Sequence, residues 1–333
     1  RLTRNPGYWQ KNEPYLDNII VEEIPDSQAR LAAFTAGRLD LLLEPVTSEE
    51  VAHLKKALPQ VRIWQYKDPV RGPDIIINTN RPPFDDIRVR KAIGLAINPT
   101  VVSNAQRSVC STTINSPMGL SSWALPQKEL AMRGEHTKPL DKRQEEAIGL
   151  IQQAGITSGF GFQLLVPTSN SSPDDLPTPE KLSHLLRNMW NPITAYAQIT
   201  PMKDQIQFRE TLITQQFEVA ITPNVFPTYP HPGTLILHWG IDGPRNYTGV
   251  ADETLNNLLE KQAITLEHET RLDLIHKAQH HILNSFAGIF LPIARPCFRG
   301  KGVPVQAWIQ GYQPNWQASA MDNLKFHQVR TNK

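Results

Sequence analysis

The sequence contains little cysteine, little net charge and no long apolar run. Two cysteines in 333 residues, Cys110 and Cys297, are too few for a disulfide scaffold, and the sequence leaves open whether they form one bridge or remain buried thiols. The 34 Lys and Arg residues nearly balance the 32 Asp and Glu residues, so the basic field typical of nucleic-acid-binding proteins is missing. No apolar stretch approaches the roughly 20 residues that cross a bilayer, and the composition is that of a soluble globular protein.

The first residues also lack the features of a signal peptide. Residues 1–4 include two arginines, with neither an apolar core nor a small-residue cleavage site. Three explanations stay open at this point: the protein is intracellular, a leader has been removed, or the chain is a fragment.

Proline, by contrast, is abundant, with 28 residues against 18 glycines. Because proline fixes φ and removes a hydrogen-bond donor, such a chain must contain many loops and extended segments. We predict two long loops, over residues 111–139 and 222–239, where proline clusters with serine, glycine or aromatic residues.

The remaining sequence alternates between strand-like and helix-like patterns. Asp26 is placed to cap a helix over residues 27–36, residues 74–78 predict a strand, and residues 87–97 have the apolar spacing of a helix. This alternation implies an α/β layered architecture, and the length suggests two domains or one bilobed unit. Later elements are predicted as helices over 143–154, 179–190, 205–214, 252–262 and 270–284, and as strands over 160–167 and 217–221.

Short motifs follow one another in a fixed order along nearly the whole chain. The most specific runs from 78 to 93 and reads NTNRPPFDDIRVRKAI. It follows RNPGYW at 4–9, PDSQAR at 25–30 and AGRLD at 36–40, and it precedes NYTG at 246–249. In these motifs and their order the chain resembles the family 5 extracellular solute-binding proteins, the dipeptide, oligopeptide and nickel-binding subunits of bacterial ABC importers.

The resemblance implies an α/β, periplasmic-binding-protein-like type II fold, with two α/β lobes joined by a hinge. On the family pattern, residues 1–115 belong to lobe I, residues 116–290 form lobe II, and residues 291–333 return into lobe I. The match begins in the middle of the family pattern. We therefore expect lobe I to be incomplete, without the first segment that family members have.

The function implied by the resemblance is that of the substrate-binding subunit of an ABC importer of the peptide, nickel or opine class. Such a subunit loses its signal peptide, captures a small solute or peptide by hinge closure, and delivers it to a permease in the inner membrane. It works in the periplasm or, membrane-anchored, outside the cell, and apart from the permease it is a monomer or is bound to another protein. It has no catalytic residue, no cofactor and no nucleic-acid partner. Two alternatives stay open: a retained interaction or structural module, and the ligand-sensing domain of a regulator.

The candidate ligand contacts lie in the second predicted loop and just after it. Aromatic side chains supply contact area there, and arginine supplies a fork that matches a carboxylate. The candidates are Asn224, Phe226, Thr228, Tyr229, His231, Trp239, Arg245 and Asn246. The competing interpretation is that a proline-rich loop holds such residues to satisfy its own backbone.

Two of these residues depart from the pattern of peptide-binding relatives. The resemblance places Thr228 where those relatives have an aspartate that pairs with the peptide α-ammonium, and His231 where an acidic residue is usual. Because threonine has no charge to neutralise a desolvated ammonium, the sequence disfavours a ligand held by a free N-terminus. An anionic ligand, a metal chelate or a modified molecule stays open, and so does the loss of binding.

Two other clusters have simpler interpretations. His276 and His280 have the i, i+4 spacing of metal ligands on a helix, but no neighbouring carboxylate or cysteine completes the set. We therefore predict a solvated helix face there and no metal site. Arg88, Arg90 and Lys91 are expected to form a solvated helix start with local charge pairs.

Overall fold

The computed structural model describes residues 1–42, 48–59, 61–65, 74–105, 109–119, 121–168, 179–222, 231–296, 305–308, 312–313 and 330–331. These residues divide into two units. Unit 1 draws on residues between 1 and 69 and between 296 and 333, and unit 2 on residues between 70 and 295. The lobe boundaries expected from the resemblance differ from these bounds and stay a prediction.

The described elements are short in unit 1 and longer in unit 2. The strands are β1 (Leu2–Thr3), β2 (Asn18–Ile19), β3 (Arg62–Gln65), β4 (Asp74–Ile77), β5 (Val109–Thr113), β6 (Phe160–Pro167), β7 (Ala195–Met202), β8 (Val219–Thr222), β9 (Gly288–Phe290), β10 (Ile293–Pro296), β11 (Val305–Trp308), β12 (Tyr312–Gln313) and β13 (Arg330–Thr331). The α-helices are α1 (Ser27–Thr35), α2 (Ser48–Ala57), α3 (Ile87–Leu95), α4 (Pro99–Ala105), α5 (Gln127–Ala131), α6 (Gly134–Thr137), α7 (Leu140–Gln153), α8 (Pro179–Trp190), α9 (Gln205–Ile213), α10 (Gly233–Trp239), α11 (Glu253–Ile264) and α12 (His268–Ser285).

Unit 1 contains α1, α2 and three antiparallel strand pairs, β1 with β2, β3 with β11, and β12 with β13. The predicted cap of α1 is confirmed, because the Asp26 side chain accepts a hydrogen bond from the N–H of Ala29. A small core between the helices buries four apolar side chains, those of Leu31, Phe34, Leu42 and Leu54.

Unit 2 is organised around a five-stranded sheet in the order β7-β6-β8-β4-β9. Strands β7, β6 and β8 are parallel, and β4 runs antiparallel to both β8 and β9. Parallel neighbours require crossover connections, and α8 and α9 supply them between β6 and β7 and between β7 and β8. Strands β5 and β10 form a separate pair.

Both faces of the sheet are covered by helices. Alternation along β4 sends Ile75 and Ile77 into one core and Ile76 into the other. The first face packs against α3, α7 and α8, with Trp190 fully buried among them. The second face packs against α9, α10, α11 and α12, where Trp239 is the largest buried side chain. Unit 2 is therefore a three-layer α/β structure, as the alternating elements predicted.

The predicted loops are partly wrong. Residues 111–139 contain the end of β5 and the short helices α5 and α6, and residues 222–239 contain α10. The prediction also missed α4 and β7. The sequence of β7, AYAQITPM, has only weak apolar alternation, and its partner β6 determines its conformation through eight paired positions. In the described part of the chain, no helix combines the length and apolarity needed to cross a membrane.

The basic cluster at α3 corrects one further prediction. Arg88 and Lys91 form the expected ion pairs, with Asp86 and Glu146. Arg90 does not belong to a solvated face, because it is 7% exposed and burial lowers the pKa of its guanidinium. Its nitrogens donate to three backbone oxygens, those of Phe84, Asp85 and Ser285, at 2.7, 3.1 and 2.9 Å. Through these hydrogen bonds, Arg90 links the start of α3 to the end of α12.

We predict that Arg90→Ala lowers the free energy of unfolding by about 3 kcal/mol, because three backbone carbonyl oxygens, one buried and two half-buried, lose a charged donor. The neighbouring Arg88→Ala is the matched control. It removes an exposed ion pair and one bond to the backbone, so it should cost about 1 kcal/mol or less. Urea unfolding followed by circular dichroism measures both values. If the free energy of unfolding fell equally in the two variants, the proposed stabilising role of the buried Arg90 would be contradicted.

The N-terminus of α12 is capped by an exposed carboxylate. Glu267 accepts hydrogen bonds from the N–H groups of Glu269 and Thr270 at 2.9 and 2.6 Å. Hydrogen bonds from the Thr270 side chain and from the N–H groups of Thr270 and Glu269 lower the pKa of Glu267 from 4.5 to about 2. A carboxyl group with a depressed folded-state pKa contributes stability above its unfolded pKa, and that contribution is lost as the pH falls through the folded pKa.

We therefore expect Glu267→Gln to be less stable than the wild type at neutral pH, with a difference that shrinks as the pH falls from 4.5 to 2. Urea unfolding at several pH values measures it. Glu210→Gln, on the exposed side of α9, is the control and should show a small difference at every pH. A difference between wild type and Glu267→Gln that stays constant below pH 4.5 would show that the charge of Glu267 does not stabilise α12.

Candidate ligand-binding edge

The carboxyl ends of the parallel strands lie at one edge of the unit 2 sheet. In open α/β sheets, ligands bind at such an edge. The parallel strands β6, β7 and β8 end there at Pro167, Met202 and Thr222, and β9 ends there at Phe290. The antiparallel strand β4 begins at the same edge with Asp74, which pairs in register with both Thr222 and Phe290. Because β7 and β8 lie on opposite sides of β6, this edge has the strand order of a ligand-binding crevice. We call it the carboxyl edge.

Buried polar side chains cluster at the carboxyl edge. Asp74, Asn115, Ser116 and Thr222 are each at most 4% exposed. The Asn115 side-chain amide donates to Asp74 Oδ1 at 3.0 Å, and Asn115 Oδ1 accepts from the N–H of Ser116 at 2.9 Å. Thr222 Oγ1 donates to the backbone oxygen of Asp74 at 3.2 Å. The carboxyl edge therefore holds a few buried polar groups whose positions are fixed by hydrogen bonds.

The sequence prediction missed this cluster. It placed the strand at residues 74–78 correctly but assigned no role to Asp74. The available signal was the order of residues in β4, an aspartate followed directly by three isoleucines. A charged residue inside a strand that is otherwise wholly apolar is unusual, because aspartate is rarely buried unless it is paired.

The predicted contacts fall in different environments. Asn224, Phe226, Thr228 and Tyr229 lie outside the described residues, as does Cys297 of the two cysteines. For this reason the first four stay predictions. His231 is exposed, and its Nδ1 accepts a hydrogen bond from the N–H of Gly233 at the start of α10.

Trp239 lies in a hydrophobic core, and the Asn246 side chain binds backbone groups. Trp239 is 1% exposed in the second-face core, with its ring centroid 6.3 Å from that of Phe290. The Asn246 amide nitrogen donates to the oxygens of Gly240 and Val250, at 3.0 and 2.8 Å. Arg245, beside it, is exposed. The ligand contacts predicted for these residues stay predictions.

Asn246 belongs to a network of side-chain amides that joins three segments of unit 2. Asn78, just after β4, donates to the backbone oxygens of Gln215 and Phe217 at 2.8 and 2.9 Å. The Gln215 side chain accepts from Asn80 at 2.9 Å and donates to the backbone oxygen of Asn246 at 3.0 Å. This network holds the segment that follows α10 against the sheet.

Gly249 shows how closely these segments approach. Its φ of +70° lies in the left-handed region, and a Cβ atom at this position would be 2.3 Å from Asn80 Nδ2. Asn246 Oδ1 accepts from the N–H of Gly249 at 3.1 Å. The sequence NYTG, which carried part of the resemblance, is therefore a structural turn.

We predict that Asn246→Ala lowers the free energy of unfolding by about 3 kcal/mol, since it removes several half-buried hydrogen bonds of roughly 1 kcal/mol each. The adjacent Arg245→Ala, at an exposed position, should change it by less than about 0.5 kcal/mol. Urea unfolding measures both. If the two variants were equally stable, the network around Asn246 would not support the turn.

Two histidines of α12, His280 and His281, bind carboxylates in separate pairs. His280 Nε2 lies 2.5 Å from Glu129 Oε1, and His281 Nδ1 lies 3.2 Å from Asp252 Oδ2. His276 and His280 therefore do not form a single cluster with acidic side chains. Across the described ranges of the chain, no group of three or more His, Cys, Asp or Glu side chains is arranged to hold a metal ion.

Comparison with known sequences identifies related proteins. Residues 1–246 match the family described as "Bacterial extracellular solute-binding proteins, family 5 Middle". The chain is 26% identical over 199 residues to heme-binding protein A of Haemophilus influenzae, covering 56% of this chain and 33% of that protein. It is 25% identical over 179 residues to the periplasmic oligopeptide-binding protein OppA of the same organism, covering 50% and 31%. The chain thus spans about a third of the length of these curated relatives.

Among solved structures, the periplasmic binding protein DppA from Helicobacter pylori, in complex with the peptide STSA, superimposes with a TM-score of 0.67 at 20% identity. The match covers 99% of this chain and 60% of that one, and it confirms the predicted periplasmic-binding-protein-like α/β fold. Members of the matched family are solute-binding proteins and not enzymes. Since the family match extends over residues 1–246, the chain belongs to the family 5 bacterial extracellular solute-binding proteins.

Proposed function

We propose that the chain is part of the substrate-binding subunit of an ABC importer of the peptide, nickel or opine class, and that it contributes to binding the ligand. The single observation that carries this proposal is the family match over residues 1–246. The chain itself would carry out no chemistry. In the periplasm it would capture a small solute by closure of two lobes. It would then present that solute to a permease in the membrane.

The arrangement of unit 2 supports a binding role. The carboxyl edge places buried polar groups at the ends of parallel strands, where ligands bind in open α/β sheets. The segment that follows β8 in the sequence contains Asn224, Phe226, Thr228 and Tyr229, which we propose as ligand contacts together with the exposed His231 and Arg245.

The relatives suggest which solutes to test first. One is a heme-binding protein and another binds oligopeptides, as their names state. We propose that the solute of this chain belongs to the same range of small organic ligands. The amide network of Asn78, Gln215 and Asn246 and the buried Trp239 would then maintain the scaffold, while the contacts to solute come from the carboxyl edge.

The test is a thermal-shift screen with haemin, trialanine, nickel–histidine and octopine, with glucose as a solute outside the class. A ligand at 100 times its Kd stabilises the folded state by about 2.7 kcal/mol. For a unit of this size each kcal/mol raises Tm by about 2–4 °C, so a true ligand should raise Tm by several degrees. If none of these solutes raises Tm more than glucose, and another protein co-purifies stably, the receptor function is contradicted in favour of an interaction module.

A further inference from the structure

We propose that a cavity inside unit 2 is a second ligand site, and that it takes a small aliphatic carboxylate with its apolar tail inside and its carboxylate at the mouth. Helices α3, α5, α6 and α12 and strand β9 contribute lining residues. Two others, Asn115 and Phe290, belong also to the carboxyl edge, so the cavity adjoins it. The inference goes beyond the proposed function, because it concerns a different ligand and does not require transport of a solute.

The inner wall of the cavity is apolar. Six of the lining residues are buried and have no polar side chain: Gly94, Ile97, Leu130, Leu283, Gly288 and Leu291. Water in contact with such a wall makes few hydrogen bonds, so its displacement by an apolar group is favourable. The part of the ligand that enters the cavity is therefore apolar.

The volume of the cavity limits the size of that apolar group. The cavity measures about 60 Å³. One water molecule requires about 10–15 Å³ of cavity volume, so this cavity has room for about four. A cavity of about 150 Å³ admits benzene, and the one in unit 2 is less than half as large. The ligand tail is therefore short and aliphatic, and an aromatic ring does not fit.

The mouth of the cavity is polar, with Arg133, Glu135 and His136 half-buried there. Arg133 Nε donates to a carboxylate oxygen of Glu135. Its Nη1 donates to Asn284 Oδ1 at 3.0 Å, and its Nη2 donates to the backbone oxygen of Leu283 at 3.4 Å. A guanidinium has about five N–H donors, so these bonds fix Arg133 and leave donors for a ligand.

His136 supplies a further donor at the mouth. Within the described part of the chain, its ring has no hydrogen-bond partner. Burial lowers the pKa of the His136 imidazole, Glu135 opposes this shift, and Arg133 and Arg143 add to it. A neutral imidazole has one N–H to donate. His136 is therefore placed to donate to an acceptor that enters the cavity.

The charges around His136 favour a negative acceptor. Arg143 is 4% exposed and donates to the backbone oxygen of Ile97, a lining residue, at 2.7 Å. Two cations, Arg133 and Arg143, and one anion, Glu135, act on the imidazole of His136. An excess of positive charge in partly buried surroundings attracts an anion. A carboxylate provides that charge and accepts from both guanidinium and imidazole N–H groups.

The test is an NMR titration of the whole chain, labelled with ¹³C in the methyl groups of isoleucine and leucine. Isovalerate carries both the tail and the carboxylate. Acetate lacks the tail, isovaleramide lacks the charge, and isobutylammonium carries a positive charge in its place. The methyl signals of Ile97, Leu130 and Leu283 show whether a probe enters the cavity.

We expect isovalerate to shift these three signals saturably, with a Kd of about 1 mM, a value within reach of so small a ligand. The other three probes should bind at least about tenfold more weakly, because each lacks the tail or the negative charge.

Two variants test the two ends of the site. His136→Ala removes a donor at the mouth and should raise the Kd of isovalerate about fivefold or more. Ile114→Phe enlarges a half-buried lining residue and should raise it about tenfold or more, because the cavity is filled. The matched controls are His184→Ala on α8 and Ile213→Phe on α9, both at exposed positions, and they should change the Kd by less than about twofold.

If Ile114→Phe does not fold, the four probes and His136→Ala decide. The inference is overturned if isovalerate gives no saturable shift at Ile97, Leu130 and Leu283, if isobutylammonium binds more tightly than isovalerate, or if His136→Ala binds isovalerate as the wild type does. None of these results bears on the proposed solute function, since its thermal-shift screen uses other probes.

Discussion

Burial of both faces of the five-stranded sheet is the constraint on which the rest of unit 2 depends. Helices α3, α7 and α8 cover one face, and α9 to α12 cover the other. Strand β4 lies between β8 and β9, so all four of its residues are buried. Any polar group in such a strand must be compensated, and Asp74 accepts a hydrogen bond from the buried Asn115 side chain.

The same constraint separates supporting residues from candidate contacts. Arg90, Asn246 and Gln215 bind backbone groups and join segments that are distant in sequence. The motifs that carry the family resemblance are therefore largely structural: Arg90 lies in the most specific motif and Asn246 in the NYTG turn. The residues that determine which ligand binds are expected at the carboxyl edge and in the segment that follows β8 in the sequence, where this sequence departs from the pattern of peptide-binding relatives.

Much of the fold could be predicted from the sequence where local signals are strong. Asp26 at a cap position identified the start of α1, and the apolar spacing after residue 87 identified α3. Strand β7 was missed because its pairing with β6, and not its own pattern, determines its conformation. The short helix α10 was missed because proline and aromatic residues before it are typical of loops. The burial of Arg90 depends on the distant end of α12, which no local pattern reveals.

The central claim is that the carboxyl edge of unit 2 binds a small solute. A crystal structure of the chain with a solute from the thermal-shift screen bound tests it most directly. We predict ligand atoms within about 4 Å of the strand ends that form the carboxyl edge, the range of van der Waals contact. A ligand bound at a site remote from the carboxyl edge would contradict this account.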